Sequence, residues 1–255
     1  MAGRLFAPHY AERLIRACGL IPTFVRESPA DDSSAVSEIL PGEEFAVLDF
    51  TAGWAWGYCV SDRRVGYVEA IELTAPLAAT HVVVEPTAPI QADADPLSPP
   101  LSFVPMGSRL HGAVKGALLE FEGGFVPLSY LRPVEEPELD PVAVACRLLG
   151  TPFLPGGRTC RGIDCSGLVQ LSLQLCGIAC PRDARDQRRL GEPVSGGAPL
   201  RRGDLLFCDD HVRIMVDDRM AIQVSHEAKK VTVEPFTCAQ APDSESGIER
   251  RRLSL

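Results

Sequence analysis

The stretch GIDCSGL, Gly162 to Leu168, sets a cysteine directly behind an aspartate and ahead of an apolar run with helical spacing. Asp164 suits an N-cap, so a helix is expected from Cys165 to about Cys176. Leu168, Leu171 and Leu175 then form one buried stripe, and Gly177 ends the helix. In the first turn the unpaired backbone N–H groups and the helix dipole favour negative charge. Both effects should lower the thiol pKa of Cys165, and the same N–H groups could receive the oxyanion formed when a carbonyl is attacked. The chemistry expected of Cys165 is therefore nucleophilic. The chain has nine cysteines, and none of the others has this placement. Cys146 and Cys176 fall within or at the end of expected helices, and Cys59 follows Trp56 in an expected strand, so these read as core residues.

A nucleophilic cysteine needs a base. Of the five histidines, His211 opens the apolar strand HVRIMV, and Asp217-Asp218 form a turn into MAIQVS. In that hairpin directly opposed residues have numbers summing to a constant near 434 or 435, and His211 with Gln223 gives 434, which sets the two opposite each other. Directly opposed side chains have Cβ atoms about 5 Å apart. That is a base with a neutral amide to orient it, the logic of a Cys-His-Asn site with glutamine in the third role. His81 and His111 lie in the β-rich half, His226 lies just past a strand end, and His9 is near the N-terminus.

The elements that must hold these residues fall into two regimes. GYVEAIEL (Gly66 to Leu73) and GFVPLSYL (Gly124 to Leu131) share the pattern Gly-aromatic-Val-x-x-x-x-Leu, each after short apolar runs between turn residues. This predicts two small all-β barrels, at 19–75 and 79–134, after an N-terminal segment 1–18. EEPELDP reads as a linker at 135–139, and a third domain spans 140–255. That domain opens with a helix capped by Asp140, with Pro141 at its first position and Gly150 as its stop. LLFC, HVRIMV, MAIQVS and KVTVEP read as strands, so the fold class is α+β, with helices packed on an antiparallel sheet.

The 255 residues are 45% hydrophobic with a net charge of −9, which allows a real core and argues against nucleic acid or an anionic membrane as partner. The basic tail ERRRL reads as solvated. No stretch has the length of a membrane span or the apolar core of an export signal. With an odd cysteine count, this points to a reducing, cytoplasmic setting. Cys176/Cys180 and Cys208/His211 lack the tight spacing of structural zinc sites, so no metal or other cofactor is expected.

The motifs GTPFLPGG, GIDCSGLVQ, CPRDARDQ, RRGDLLF, HVRIMV and AIQVS together resemble the NlpC/P60 family of bacterial cysteine peptidases over roughly Asp140 to Pro235. These are papain-like enzymes that cut peptidoglycan stem peptides. The two upstream barrels resemble the bacterial SH3-like domains often joined to that catalytic domain, on the shorter GYV and WAWG patterns. The arrangement is similar to that of cytoplasmic γ-D-glutamyl-L-diamino acid endopeptidases, which cut between D-Glu and diaminopimelate in recycled murein peptides.

The resemblance implies Cys165 as nucleophile, His211 as base and Gln223 in the third position, where relatives most often have histidine. It implies that Asp164 and Ser166 recognise the free amine of an N-terminal L-Ala, with Asp183 in the same pocket. Glu69 of the first barrel is a further carboxylate that could face that amine. The family's Tyr-x-Trp-Gly-Gly reads Phe153-Leu154-Pro155-Gly156-Gly157 here, so Phe153 replaces a pocket tyrosine and the tryptophan is lost. Ala184 replaces the serine that commonly follows Arg-Asp. Two functions are therefore carried forward: a cysteine endopeptidase acting on murein peptides, and a peptide-binding or regulatory module with a decayed pocket.

Overall fold

The computed structural model describes residues 12–95, 98–195, 197–236 and 248–253. His9, Cys238 and most of the expected N-terminal segment lie outside the described residues. The first unit is one antiparallel sheet of β1 (Leu14–Cys18), β2 (Thr23–Arg26), β3 (Ala35–Ile39), β4 (Glu44–Thr51), β5 (Trp54–Cys59), β6 (Val65–Glu69) and β7 (Leu73–Thr74). Their order is β3-β2-β6-β5-β4-β1-β7, and Val25, Ile39, Phe45, Val47 and Val68 fill its core. The boundary expected at residue 19 needs correction, because β1 pairs with β4 and β7 and buries Ala17 and Cys18. Arg13 and Arg16 interrupt the apolar pattern that would have revealed this strand.

The second unit contains β8 (His81–Val83), β9 (Thr87–Ile90), β10 (Ser102–Pro105), β11 (Arg109–Leu110), β12 (Gly112–Lys115), β13 (Leu118–Phe121), β14 (Gly124–Pro127) and β15 (Leu131–Pro133). They form small sheets around Val83, Ile90, Val104, Leu119 and Val126. The sequence repeat is also a structural one. β6 runs through a 3₁₀ turn at Ala70–Glu72 into β7, and β14 runs through another at Leu128–Tyr130 into β15.

The third unit contains α1 (Pro141–Cys146), β16 (Arg158–Thr159), β17 (Gly162–Ile163), α2 (Cys165–Leu175), α3 (Ala184–Gln187), β18 (Glu192–Pro193), β19 (Leu205–Cys208), β20 (His211–Met215), β21 (Met220–Ser225), β22 (Lys230–Pro235) and β23 (Ile248–Arg252). The main sheet has the order β18-β23-β19-β20-β21-β22. α2 packs on β20 and β21, and its Leu168 and Leu171 join Val142, Phe207, Ile214 and Ile222 in one core. α1 begins as expected, with the Val142 N–H donating to Asp140 Oδ1 at 2.9 Å. It ends at Cys146, and hydrogen-bonded turns carry the chain on to Gly150, whose φ is +84°.

Two segments read as loose from the sequence are tied down. Glu138, in the expected linker, is buried and accepts hydrogen bonds from Arg132 (2.8 Å) and Arg147 (3.1 and 3.2 Å). Burial would raise its pKa, but the two guanidinium groups outweigh that and hold the carboxyl below its usual range. The basic tail is β23, a strand between β18 and β19. Both Asp204 oxygens, on a side chain 1% exposed, accept from Arg252 at 2.7 Å, which anchors that strand. Charge here marks a partner inside the fold.

The first and third units share a buried polar seam. Arg158, 1% exposed, donates bidentately to Glu43 at 2.7 and 3.0 Å, and also to the Glu38 carbonyl and to Gln174. Its backbone N–H donates to Glu38 Oε2 at 2.7 Å. The seam ties Arg158 to the last turn of α2 through Gln174, while the Gly156 N–H donates to Asp164 at the start of that helix. Among the described residues, no helix is long and apolar enough to cross a membrane.

Candidate active site

Asp164 caps α2 as the sequence implies, with Oδ1 accepting from the Gly167 N–H at 2.7 Å. Gly167 also lets the preceding loop approach, since a Cβ there would lie 2.6 Å from the Gly157 carbonyl oxygen. Cys165 occupies the first helical position, and its thiol donates to the Asp210 carbonyl at 3.8 Å. Its pKa is raised and not lowered, contrary to the expectation from helix position alone. Burial is the largest cause; the Val212 and Ser166 N–H groups pull the pKa down without overcoming it. The resting residue is a thiol held among donors that would stabilise the thiolate once it forms.

Asp164 and Ser166 do not present free groups for a substrate amine, which corrects that expectation. Besides the cap, the Asp164 carboxylate accepts from Gly156 N (2.9 Å), Ser166 Oγ (3.2 Å) and both terminal nitrogens of Arg182 (2.9 and 2.6 Å). Five donors saturate the roughly four lone-pair sites of a carboxylate. Ser166, 8% exposed, accepts from Arg182 at 2.7 Å. Arg182 was not singled out in the sequence, where its neighbour Asp183 was. It also donates to Ser37 Oγ at 3.2 Å, so it ties the nucleophile's helix to the first β unit.

His211 and Gln223 do meet, but through a different register. Ile214 pairs with Ile222 and Met215 with Ala221, because the turn holds three residues, 217–219, between Val216 and Met220. Asp217 Oδ1 closes it by accepting from the N–H groups of Arg219 (2.8 Å) and Met220 (2.7 Å). His211 and Gln223 are then diagonal neighbours on one face, still within side-chain reach. Gln223 Oε1 lies 3.2 Å from His211 Nε2.

Glu234 on β22 completes the line. Gln223 Nε2 donates to Glu234 Oε2 at 2.6 Å, and Thr232 Oγ1 donates to Glu234 Oε1 at 2.7 Å. The hydrogen bond from Thr232 is the first cause of a lowered Glu234 pKa, so Glu234 is ionised and can only accept. The Gln223 NH₂ must therefore face Glu234 and its oxygen must face His211. That makes His211 Nε2 the N–H donor and leaves Nδ1 free to act as base. Sequence reasoning missed Glu234. The available signal was the pairing of Gln223 with Thr232 across β21 and β22, which sets Glu234 one diagonal step away.

Burial draws the His211 pKa down to about 4. The hydrogen bond to Gln223 and the Glu234 charge oppose that shift, while Arg213 and His226 add to it. The His226 ring lies 4.9 Å from that of His211, tilted by 54°. At neutral pH the pair is thus a thiol and a neutral imidazole. Cys165, His211 and Phe153 line one cleft of about 510 Å³, within the range of small-molecule sites. Asp183, placed by sequence in the amine pocket, pairs with Arg64 of the first unit. Glu69 ends β6 half-exposed, and its carboxylate makes no ion pair among the described residues.

The site therefore sets a helix-start cysteine and an oriented histidine in one cleft. Residues 150–243 match the NlpC/P60 family, and residues 25–73 match the bacterial dipeptidyl-peptidase SH3 domain. The chain carries an NlpC/P60 domain behind a bacterial SH3 domain. Its fold follows a crystal structure of an NlpC/P60 family protein from Bacillus cereus, with a TM-score of 0.78 at 18% identity over 94% of this chain and 99% of that one. It is similar to the γ-D-glutamyl-L-lysine dipeptidyl-peptidase of Bacillus subtilis, 32% identical over 42% of this chain and 36% of the relative. It is also similar to a probable endopeptidase NlpC homologue of Haemophilus influenzae, 35% identical over 30% of this chain and 43% of the relative. The chain thus spans less than half the length of these curated relatives.

Proposed function

We infer that the protein is a cysteine endopeptidase that hydrolyses the bond between γ-D-Glu and a diamino acid, diaminopimelate, in murein stem peptides with a free N-terminal L-Ala. The setting proposed is murein peptide recycling in the cytoplasm. The observation that carries this reading is a helix-start thiol in one cleft with a histidine whose Nε2 is held by an oriented amide. His211 Nδ1 takes the thiol proton as the Cys165 sulfur bonds to the γ-carbonyl carbon of D-Glu. The imidazolium then gives that proton to the departing amine, leaving a thioester. A water molecule, deprotonated by the same nitrogen, attacks the thioester and releases L-Ala-D-Glu and the free thiol. Asp183 and Glu69 are assigned to the substrate ammonium in place of the saturated Asp164. The second β unit, with its repeated strand–3₁₀–strand segment, is assigned as another SH3-like domain.

The test is incubation with L-Ala-γ-D-Glu-meso-diaminopimelate and detection of released diaminopimelate by mass spectrometry. Turnover by wild type and none by Cys165→Ala is the expected result. Phe153 and Ala184, each lacking a hydroxyl, favour the competing reading of a binding module. Tight binding without turnover by the wild-type protein would establish that reading instead.

A further inference from the structure

The cleft beside Cys165 and His211 carries two cations that the chemistry above does not use. Its lining includes Phe153, Asp209, Asp210, Arg213, His226 and Lys229, and no residue of either β unit. Asp183, by contrast, is tied to Arg64 of the first unit. With the acyl half of the peptide assigned to that side, this cleft falls to the half that leaves.

Arg213 is half-buried, yet its guanidinium makes no hydrogen bond or ion pair among the described residues. Its contact is with the Phe236 ring, whose centroid lies 5.8 Å from Cζ. Burial lowers its pKa, and the Glu234 charge opposes that shift from a distance. The Lys229 ammonium sits 5.9 Å over the Phe153 ring and is likewise unpaired among the described residues. Arg213 is a half-buried cation without an anion, which is costly, and a ligand carboxylate would remove that cost; Lys229 is exposed and offers a solvated ammonium at the rim of the same cleft. The chain as a whole carries −9, so two free cations beside the nucleophile do not reflect a generally basic surface. Asp209 and Asp210, both exposed, give the same cleft an acidic lip.

The geometry points to a carboxylate subsite: Arg213 and Lys229 receive the two carboxylates of a C-terminal meso-diaminopimelate residue, while Asp209 and Asp210 balance its ammonium. A C-terminal lysine presents the same ammonium with one carboxylate, so the cleft selects diaminopimelate over lysine. This assignment rests on the peptidase reading, and it names Arg213 and Lys229 as the residues that set its specificity.

The experiment compares kcat/KM for L-Ala-γ-D-Glu-meso-diaminopimelate and L-Ala-γ-D-Glu-L-lysine. Wild type should prefer the first by about tenfold or more, the scale of one charge-assisted contact. Arg213→Gln with Lys229→Gln should bring the ratio to within about twofold, and Lys229→Glu alone should shift it toward the lysine peptide. A wild-type ratio near one, or a ratio that neither variant moves, overturns the subsite. Calorimetry of both peptides on Cys165→Ala separates the two readings. If wild type cleaves neither peptide but the variant binds the diaminopimelate peptide about tenfold tighter, the subsite stands and the peptidase falls. Equal affinities, or no binding, overturn the subsite as well.

Discussion

Glu234→Gln tests the line of residues behind the base, and its size follows from the geometry. Gln223 spans from His211 at 3.2 Å to Glu234 at 2.6 Å. Across the amide, the carboxylate charge is about 7 to 8 Å from the imidazole, and at an effective dielectric of about 20 it stabilises an imidazolium by about 2 kcal/mol. Glu234 is half-exposed, and solvent screening removes roughly half of that, leaving about 1 kcal/mol, or about fivefold in rate. A neutral amide at 234 also accepts either orientation of Gln223, and the flipped one would put a donor against Nε2 and protonate Nδ1. If the two orientations are about equally populated, a further factor of about two is lost. The expected outcome is a fall of about tenfold in kcat with KM within about twofold, because the change acts on the base and not on bound substrate. Gln223→Ala should cost about one to three orders of magnitude, and adding Glu234→Gln to it should cost only about the fivefold that the through-space charge supplies, because the orientation effect is already gone with Gln223. Steady-state kinetics on the four proteins of this cycle decide the matter. Full activity in Glu234→Gln, or a double variant no less active than Gln223→Ala, would refute the reasoning.

The acid limb of kcat/KM should lie well below pH 6, because His211 stays neutral down to about pH 4; a limb near 6.5 would mean the ring is solvated in the working enzyme. The same shift makes stability fall with acid. The folded state resists a proton that the unfolded chain takes up, so the contribution present above about pH 6.5 is lost as pH drops toward the folded value. N-acetylating the L-Ala of the substrate should remove most activity, since Asp183 and Glu69 are assigned to a charged amine; equal turnover of blocked and free peptides would dismiss that assignment. Glu43→Ala leaves Arg158 buried without its bidentate partner and should destabilise the protein by about 3–5 kcal/mol in urea unfolding. Arg158→Met combined with Glu43→Leu should recover most of that loss, and failure to do so would show that the seam's other hydrogen bonds dominate.

Features set by residues close in sequence were legible without coordinates. Asp164 reaches the Gly167 N–H and Asp140 reaches the Val142 N–H within one turn, so helix starts, and with them the placement of Cys165, follow from neighbours two and three positions apart. The repeat of GYVEAIEL in GFVPLSYL likewise became the same strand–3₁₀–strand path twice. The position of His211 against Gln223 was reached through the wrong register. The observed pairs sum to 436 and the expected one to 434, a shift of two, which keeps both side chains on one face as diagonal neighbours still in contact.

The state and availability of those groups were set by contacts between distant parts of the chain. The thiol of Cys165 is raised by burial under chain that is distant in sequence, which outweighs a local dipole. The Asp164 carboxylate is consumed by Arg182, 18 positions away. Glu234 enters through strand pairing, and the arginine-rich end becomes a strand because Asp204 is buried where Arg252 can meet it. Capping depends on backbone geometry within a few residues, so composition and spacing determine it. Desolvation and the choice of ion partner depend on which distant segments exclude water from a group, and that exists only once the chain has folded.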